Sequence, residues 1–288
     1  MWFNAITIVN DADIVDSVND FFETQGALAI SLDDANDEPL VEPSPGATPL
    51  WSSVKITALF DDAEHANRVV LLHRQQFPLL KCTLESFADC NWETISHQDL
   101  RPLQFGERLW VCPSWIEPPE PHACVITLDP GLACGTGTHP TTELCLRWLE
   151  SQPIDNKTII DFGCGSGILS IAALKLGAQH VTAIDIDEQA LIATRDNAER
   201  NGISSHQYTL SDTAANTAKS SIIIANILAK PLHELRDIFL SCLTDTGDIV
   251  VSGVLIEQMD ALIECYSPLL RVIDTFIKDE WACIWFSR

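Results

Sequence analysis

The stretch TIIDFGCGSGILSIAALKLGA, Thr158–Ala178, decides the fold of this 288-residue chain. Thr158–Phe162 is an apolar run around Asp161, the pattern of a parallel strand covered on both faces. Ile168–Leu176 reads as an apolar helix, closed by Gly177. Between them, Asp161-Phe162-Gly163-Cys164-Gly165-Ser166-Gly167 sets three glycines at alternate positions. Glycine lets the backbone turn sharply and approach a ligand with no Cβ in the way. The helix start then offers unpaired N–H groups to that ligand. A strand that leaves through such a turn into a helix is the unit of a doubly wound α/β sheet.

Downstream the alternation continues. His180–Ile184 is a second strand, and Asp185 follows it, eighteen residues after Gly167. An acid at that place can accept both hydroxyls of an adenosine ribose. Glu188–Asn201 is a helix closed by Gly202, Tyr208–Leu210 a short strand, and Ser221–Ala225 the next. A helix over Pro231–Leu243, a strand over Asp248–Val254 and a helix over Leu255–Leu270 come after. Val272–Ile277 and Ala282–Ser287 are joined by a turn too short for a crossover, so they must be antiparallel. Dinucleotide sites space their glycines G-x-G-x-x-G, whereas here the pattern is G-x-G-x-G with Asp161 two residues ahead. That carboxylate opposes a pyrophosphate by roughly 1–4 kcal/mol and suits a cationic or amino-acid moiety. No G-K-[ST] follows, which excludes a P-loop. The spacing is similar to that of class I S-adenosylmethionine-dependent methyltransferases.

Upstream, the first ninety residues read as βαββαβ. The strands are Trp2–Val9, Ala27–Leu32, Val54–Phe60 and Leu79–Phe87; the helices are Asp11–Thr24 and Ala63–Gln76; Asp33–Pro49 is a loop. This order predicts a ferredoxin-like α+β sandwich. Asn91–Pro121, with Trp92, Trp110, Trp115 and five prolines, reads as a connection whose tryptophans pack at a domain junction. The expected domains are therefore 1–95, a ferredoxin-like substrate-recognition domain; 96–120, a linker; and 121–288, the catalytic domain.

Composition narrows the chemistry. Seventeen Lys and Arg against 41 Asp and Glu leave a net charge of −24, which excludes nucleic acid and anionic membrane as direct partners. Residues 1–64 hold 13 acidic side chains and a single basic one, Lys55. This acidity serves either solubility or the docking of a basic partner. Ten scattered cysteines with no C-x-x-C pair point to reduced, core-filling thiols and no metal. Met1–Asn10 lacks a basic n-region, and the apolar run at Ile222–Ala229 is too short to span a bilayer, so a cytoplasmic protein is expected.

Two further segments carry chemistry. Asn226, in Asn226-Ile227-Leu228-Ala229-Lys230-Pro231-Leu232, follows a strand that the crevice rule places beside the glycine turn. Its side chain either caps the next helix or accepts hydrogen bonds from an amine. Leu128–Thr142, LDPGLACGTGTHPTT, is rich in glycine and threonine and reads as a lid over a ligand.

LDPGLACGTGTHPTT, DFGCGSGILSIAALKLGA, AIDID, NAERNG and NILAKPL together closely resemble the ribosomal protein methyltransferase A (PrmA) family, and FGERLWVCPSW extends the likeness upstream. The departures are Cys134, where a Phe is expected, Lys230, where a Gly is usual, and Trp92–Leu100, WETISHQDL, which lacks an expected second Trp. The resemblance implies multiple methylation of amines, lysine side chains and the N-terminal α-amine, on a basic large-subunit ribosomal protein, L eleven, with S-adenosyl-L-methionine as cofactor. It implies cofactor contacts at Thr142, Gly163, Asp185 and Asn226. Asp161 and Gly165 of the turn join these on the residue reading, and Asn226 is the expected catalytic residue, orienting the amine. The rival readings are a small-molecule methyltransferase and a cofactor-fold binding protein without chemistry.

Overall fold

The computed structural model describes residues 1–36, 49–87, 101–118, 123–129, 137–215 and 217–288. The chain divides into two compact units, Met1–Gln98 and Asp99–Arg288.

The first unit contains β1 (Trp2–Val9), α1 (Ala12–Thr24), β2 (Ala29–Asp34), β3 (Val54–Phe60), α2 (Ala63–Gln76) and β4 (Cys82–Phe87). Its sheet has the order β2-β3-β1-β4 with every neighbour antiparallel, the ferredoxin-like arrangement of two interleaved βαβ units. Each helix starts on an aspartate: Asp11 accepts from the Asp13 N–H and Asp62 from the His65 N–H. The period-two pattern of β3 sends Val54, Ile56, Ala58 and Phe60 into a core shared with Val15, Val18, Phe21 and Phe22 of α1. Most of the expected Asp33–Pro49 loop lies outside the described residues, as do Trp92 and residues 130–136 of the expected lid.

The second unit departs from expectation at its start. The segment expected to be a linker over 96–120 contributes β5 (Leu103–Phe105) and β6 (Leu109–Cys112), which form a small sheet with β7 (Cys124–Thr127). Prolines and tryptophans masked these strands, because three- and four-residue strands show too little alternation to read.

The main sheet holds β8 (Thr158–Phe162), β9 (His180–Ile184), β10 (Tyr208–Ser211), β11 (Ser220–Asn226), β12 (Leu243–Leu255), β13 (Arg271–Lys278) and β14 (Trp281–Ser287), in the order β10-β9-β8-β11-β12-β14-β13. The first five in that order are parallel; β14 runs against both β12 and β13. The helices are α3 (Pro140–Ser151), α4 (Ile168–Lys175), α5 (Glu188–Arg200), α6 (Ala229–Glu234), α7 (Arg236–Cys242) and α8 (Ile256–Tyr266). Adjacent residues of β8 serve opposite faces: Ile159 packs with Leu146 and Ile171, Ile160 with Phe239 and Tyr266. The single helix expected over Pro231–Leu243 is two short ones meeting at Leu235. The helix expected to reach Leu270 stops at Tyr266, since Pro268 removes a backbone donor. Strand order reverses between β8 and β11, and the crevice at their carboxyl ends is where such folds bind ligands.

Candidate active site

That crevice is built on the glycine turn. Gly163, Gly165 and Gly167 have φ of 71°, 53° and 78°, the left-handed region closed to most side chains. The turn is tied to β9: the Gly163 and Cys164 N–H groups donate to the Ile184 carbonyl at 2.8 and 3.1 Å. The Gly165 N–H donates to Asp185 Oδ2 at 2.9 Å. From α5, Thr194 Oγ1 donates to the Gly165 carbonyl and Asn197 Nδ2 to that of Ser166. At Gly163 a Cβ would stand 2.3 Å from Ile227 Cγ2, so only glycine allows the β11 loop to close against the turn.

A cleft of about 550 Å³ opens over this turn. Gly163, Cys164 and Gly165 form its floor, with Ile168 and Leu169 of α4 alongside. Thr138, His139, Thr141 and Thr142 line it from the start of α3, and Asn226, Ile227, Leu228, Gly253 and Trp281 from the β11–β12–β14 side. Asn226 Nδ2 donates to Thr142 Oγ1 at 3.1 Å. Asn226 therefore does not cap the following helix, whose N-cap is Leu228 and has no side-chain bond. With its amide nitrogen so engaged, Asn226 keeps its amide oxygen as an acceptor.

Of the six residues expected at the site, Thr142, Gly163, Gly165 and Asn226 come together on the cleft. Asp185 is not among the residues lining the cleft; besides its bond to Gly165, its Oδ1 accepts from the Asp187 N–H at 3.0 Å. Both its oxygens keep a lone pair for hydroxyl donors. Asp161 is fully buried and is not among the residues lining the cleft. Its Oδ2 accepts from Ser170 Oγ at 2.7 Å, and the carboxylate also takes the Ser170 backbone N–H in the first turn of α4. Oδ1 has no partner among the described residues. Burial pushes its pKa up to about 6, against the pull of the Ser170 bonds, with the charge of Asp185 adding to the rise. The structure thus places the Asp161 carboxylate beneath the turn, bonded to Ser170 in the first turn of α4.

Sequence reasoning left His139, Gly253 and Trp281 unassigned. The His139 ring caps α3 by accepting from the Thr141 N–H at 3.4 Å. Gly253, φ 90°, sits where the β12–β14 register shifts, and a Cβ there would lie 2.2 Å from the Ile227 carbonyl oxygen. A glycine inside the strand expected over Asp248–Val254 is the sequence signal that could have found it. Lys278 and Arg147 both pair with Glu143 of α3. Burial raises the Glu143 carboxyl, but these two bonds together outweigh it and hold the pKa below the ordinary range.

Comparison with known proteins decides the family. The profile of the ribosomal protein L11 methyltransferase (PrmA) family matches residues 2–288. The chain belongs to the PrmA family. It is 48% identical over 287 residues to the ribosomal protein L11 methyltransferase of Legionella pneumophila (strain Corby), covering 100% of this chain and 99% of that one. To the ribosomal protein L11 methyltransferase of Mannheimia succiniciproducens it is 43% identical over 274 residues, 93% of each. A crystal structure titled ribosomal protein L11 methylase, from Lactobacillus delbrueckii subsp. bulgaricus, aligns with a TM-score of 0.61 at 32% identity, covering 66% of this chain and 99% of that chain. As a PrmA member the chain is a class I methyltransferase that uses S-adenosylmethionine. The cleft fits that cofactor: glycine backbone beside an acid after β9, the apolar Ile168 and Leu169, and a hydroxyl–amide pair at the mouth.

Proposed function

We propose that this chain transfers methyl groups from S-adenosyl-L-methionine to amines of ribosomal protein L11, both lysine side chains and the N-terminal α-amine. The observation that carries the reading is the Asn226–Thr142 hydrogen bond beside the glycine turn, in a chain 48% identical to a ribosomal protein L11 methyltransferase. In this reading Asp185 accepts from the ribose hydroxyls. Gly163 and Gly165 bring the backbone close to the cofactor, while Thr142 and Asn226 contact its amino-acid end. When bound, S-adenosylmethionine supplies a methyl carbon activated by a sulfonium.

The residues of the chain then prepare the nitrogen. A lysine amine has a pKa near ~10.4 and enters as a cation, so one proton must leave before attack. Ile227 and Leu228 line the cleft and strip water from the ammonium, which lowers its pKa and lets water carry the proton away. Asn226 Oδ1 accepts from a remaining N–H and would orient the lone pair for attack on the methyl carbon that the cofactor supplies. The new N–C bond forms as the S–C bond breaks, and the positive charge passes from sulfur to nitrogen.

The first unit supplies docking. Asp13, Asp16, Asp20 and Glu23 are exposed at helical spacing on α1, an acidic stripe opposite in sign to a basic ribosomal protein. Incubating the full chain with L11 and labelled cofactor, followed by mass spectrometry, should place label on lysines and the N-terminal amine. Neutralising those four acids to Asn and Gln should slow association and flatten its salt dependence. An unlabelled L11 would refute the activity; unchanged association at every ionic strength would refute the docking role.

A further inference from the structure

Trp281 opens β14, and because β14 runs against its neighbours, its first residue lies where the parallel strands end. Trp281 is paired with Leu255, the last residue of β12, while Asn226 is paired with Ser252 on the other side of that strand. The half-buried indole therefore reaches the same cleft as Asn226. It packs edge-to-face on the His139 ring, with centroids 4.8 Å apart and planes at 68°. That ring is held in place by its capping bonds, with Nδ1 2.7 Å from Thr141 Oγ1. Among the described residues lining the cleft there is no Asp or Glu.

These facts bear on a cation. An amine that reacts here leaves each round as an ammonium with one more methyl and one fewer N–H. A hydrogen-bond acceptor such as Asn226 loses its hold as the N–H groups disappear, and a fully methylated nitrogen offers it none. A carboxylate would hold the ammonium but would also keep it protonated. An aromatic face attracts the charge without needing an N–H, and its attraction extends over the methyl groups. Trp281 is the side chain in the cleft that can do this best, since indole has the strongest π face.

We propose that Trp281, backed by His139, is a specificity-determining residue that receives the ammonium by cation–π contact and lets methyl transfer proceed past the first methyl. The inference rests on the amine-methylation reading above. In each round the ammonium gives a proton to water, the nitrogen lone pair forms the N–C bond as the S–C bond breaks, and sulfur is left as a neutral thioether.

The test uses the full chain with L11 and S-adenosylmethionine, comparing wild type with Trp281→Phe and Trp281→Leu by time-resolved intact mass. Trp281→Leu is expected to slow the second and third transfers about tenfold more than the first, with monomethyl product accumulating, while Trp281→Phe stays within about threefold of wild type. Thermal melts should show both variants folded. A wild-type methyl distribution in Trp281→Leu, or equal losses in Phe and Leu, would overturn the proposal in favour of a packing role. A second measurement needs no variant and no L11. Calorimetry of wild-type enzyme loaded with S-adenosylhomocysteine should show choline binding at least fivefold tighter than its neutral carbon analogue, 3,3-dimethylbutan-1-ol. Equal affinities would refute the aromatic face by themselves. Wild type that binds choline selectively but leaves L11 unlabelled would overturn the substrate reading while supporting the aromatic face.

Discussion

Replacing Asp185 tests whether the acid after β9 holds the cofactor or only the turn. Its two oxygens already accept from the Gly165 N–H at 2.9 Å and the Asp187 N–H at 3.0 Å. Asp185→Ala leaves both donors to water in a half-buried setting and removes the acceptors for the ribose hydroxyls. Hydrogen bonds to a charged group contribute about 1.5–3 kcal/mol each, so one lost ribose bond weakens cofactor binding by roughly 10- to 150-fold. Asp185→Asn is the sharper variant. One oxygen survives to serve the Asp187 N–H, but an NH₂ now faces the Gly165 N–H, donor against donor. Isothermal calorimetry with S-adenosylmethionine should show at least a tenfold loss for either variant, and thermal melts should show Asp185→Asn still folded. Wild-type affinity in a folded Asp185→Asn enzyme would refute the assignment and leave Asp185 as a brace for the turn. Binding of NADH in place of S-adenosylmethionine is expected to be undetectable.

Asn226→Ala should lower the single-turnover methylation rate more than it lowers L11 affinity, because orienting the lone pair matters mainly in the transition state; weakened L11 affinity at an unchanged rate would make Asn226 a docking residue. Gly253→Ala should impair folding or distort the Ile227 loop, with loss of activity, since its Cβ would meet the Ile227 carbonyl oxygen at 2.2 Å; a crystal structure showing an undisturbed loop would contradict this. His73 gives a pH prediction for the first unit. It is fully buried among Phe21, Phe22 and Phe77, neither ring nitrogen has a partner among the described residues, and burial, helped by Arg74, pushes its pKa down to about 4. Below pH 6.5 the unfolded chain binds a proton that the folded unit refuses until about pH 4, so stability falls across that window by roughly 3 kcal/mol. Urea titrations at pH 7.5 and 5 should show His73→Leu losing less stability than wild type on acidification; equal losses would remove His73 as the cause.

The two-unit organisation and the glycine-turn crevice were legible because their signals are local. Strand, turn and helix lie within Thr158–Ala178, and the alternation of β3 repeats over seven residues, so each element announces itself by periodicity. The placing of Asp185 and Asn226 followed from one rule, that parallel strands finish at a common edge. Asp161 resisted such reading because a strand residue's neighbours in sequence do not say which face is covered. Its carboxylate is enclosed by the start of α4, which folds back over β8. Trp281 and Lys278 resisted it more strongly. The closing hairpin was recognisable as antiparallel, but that β14 sits between β12 and β13 follows from pairing across the sheet, between residues some thirty positions apart. Sequence by itself determined most of the longer elements, the turn and the chemistry that an acid and an amide bring to the edge. Tertiary structure alone decided that a reversed strand brings an indole to that edge and that the acid before the turn is sealed beneath it. Side-chain contact depends on strand order and layer closure, which no local pattern encodes.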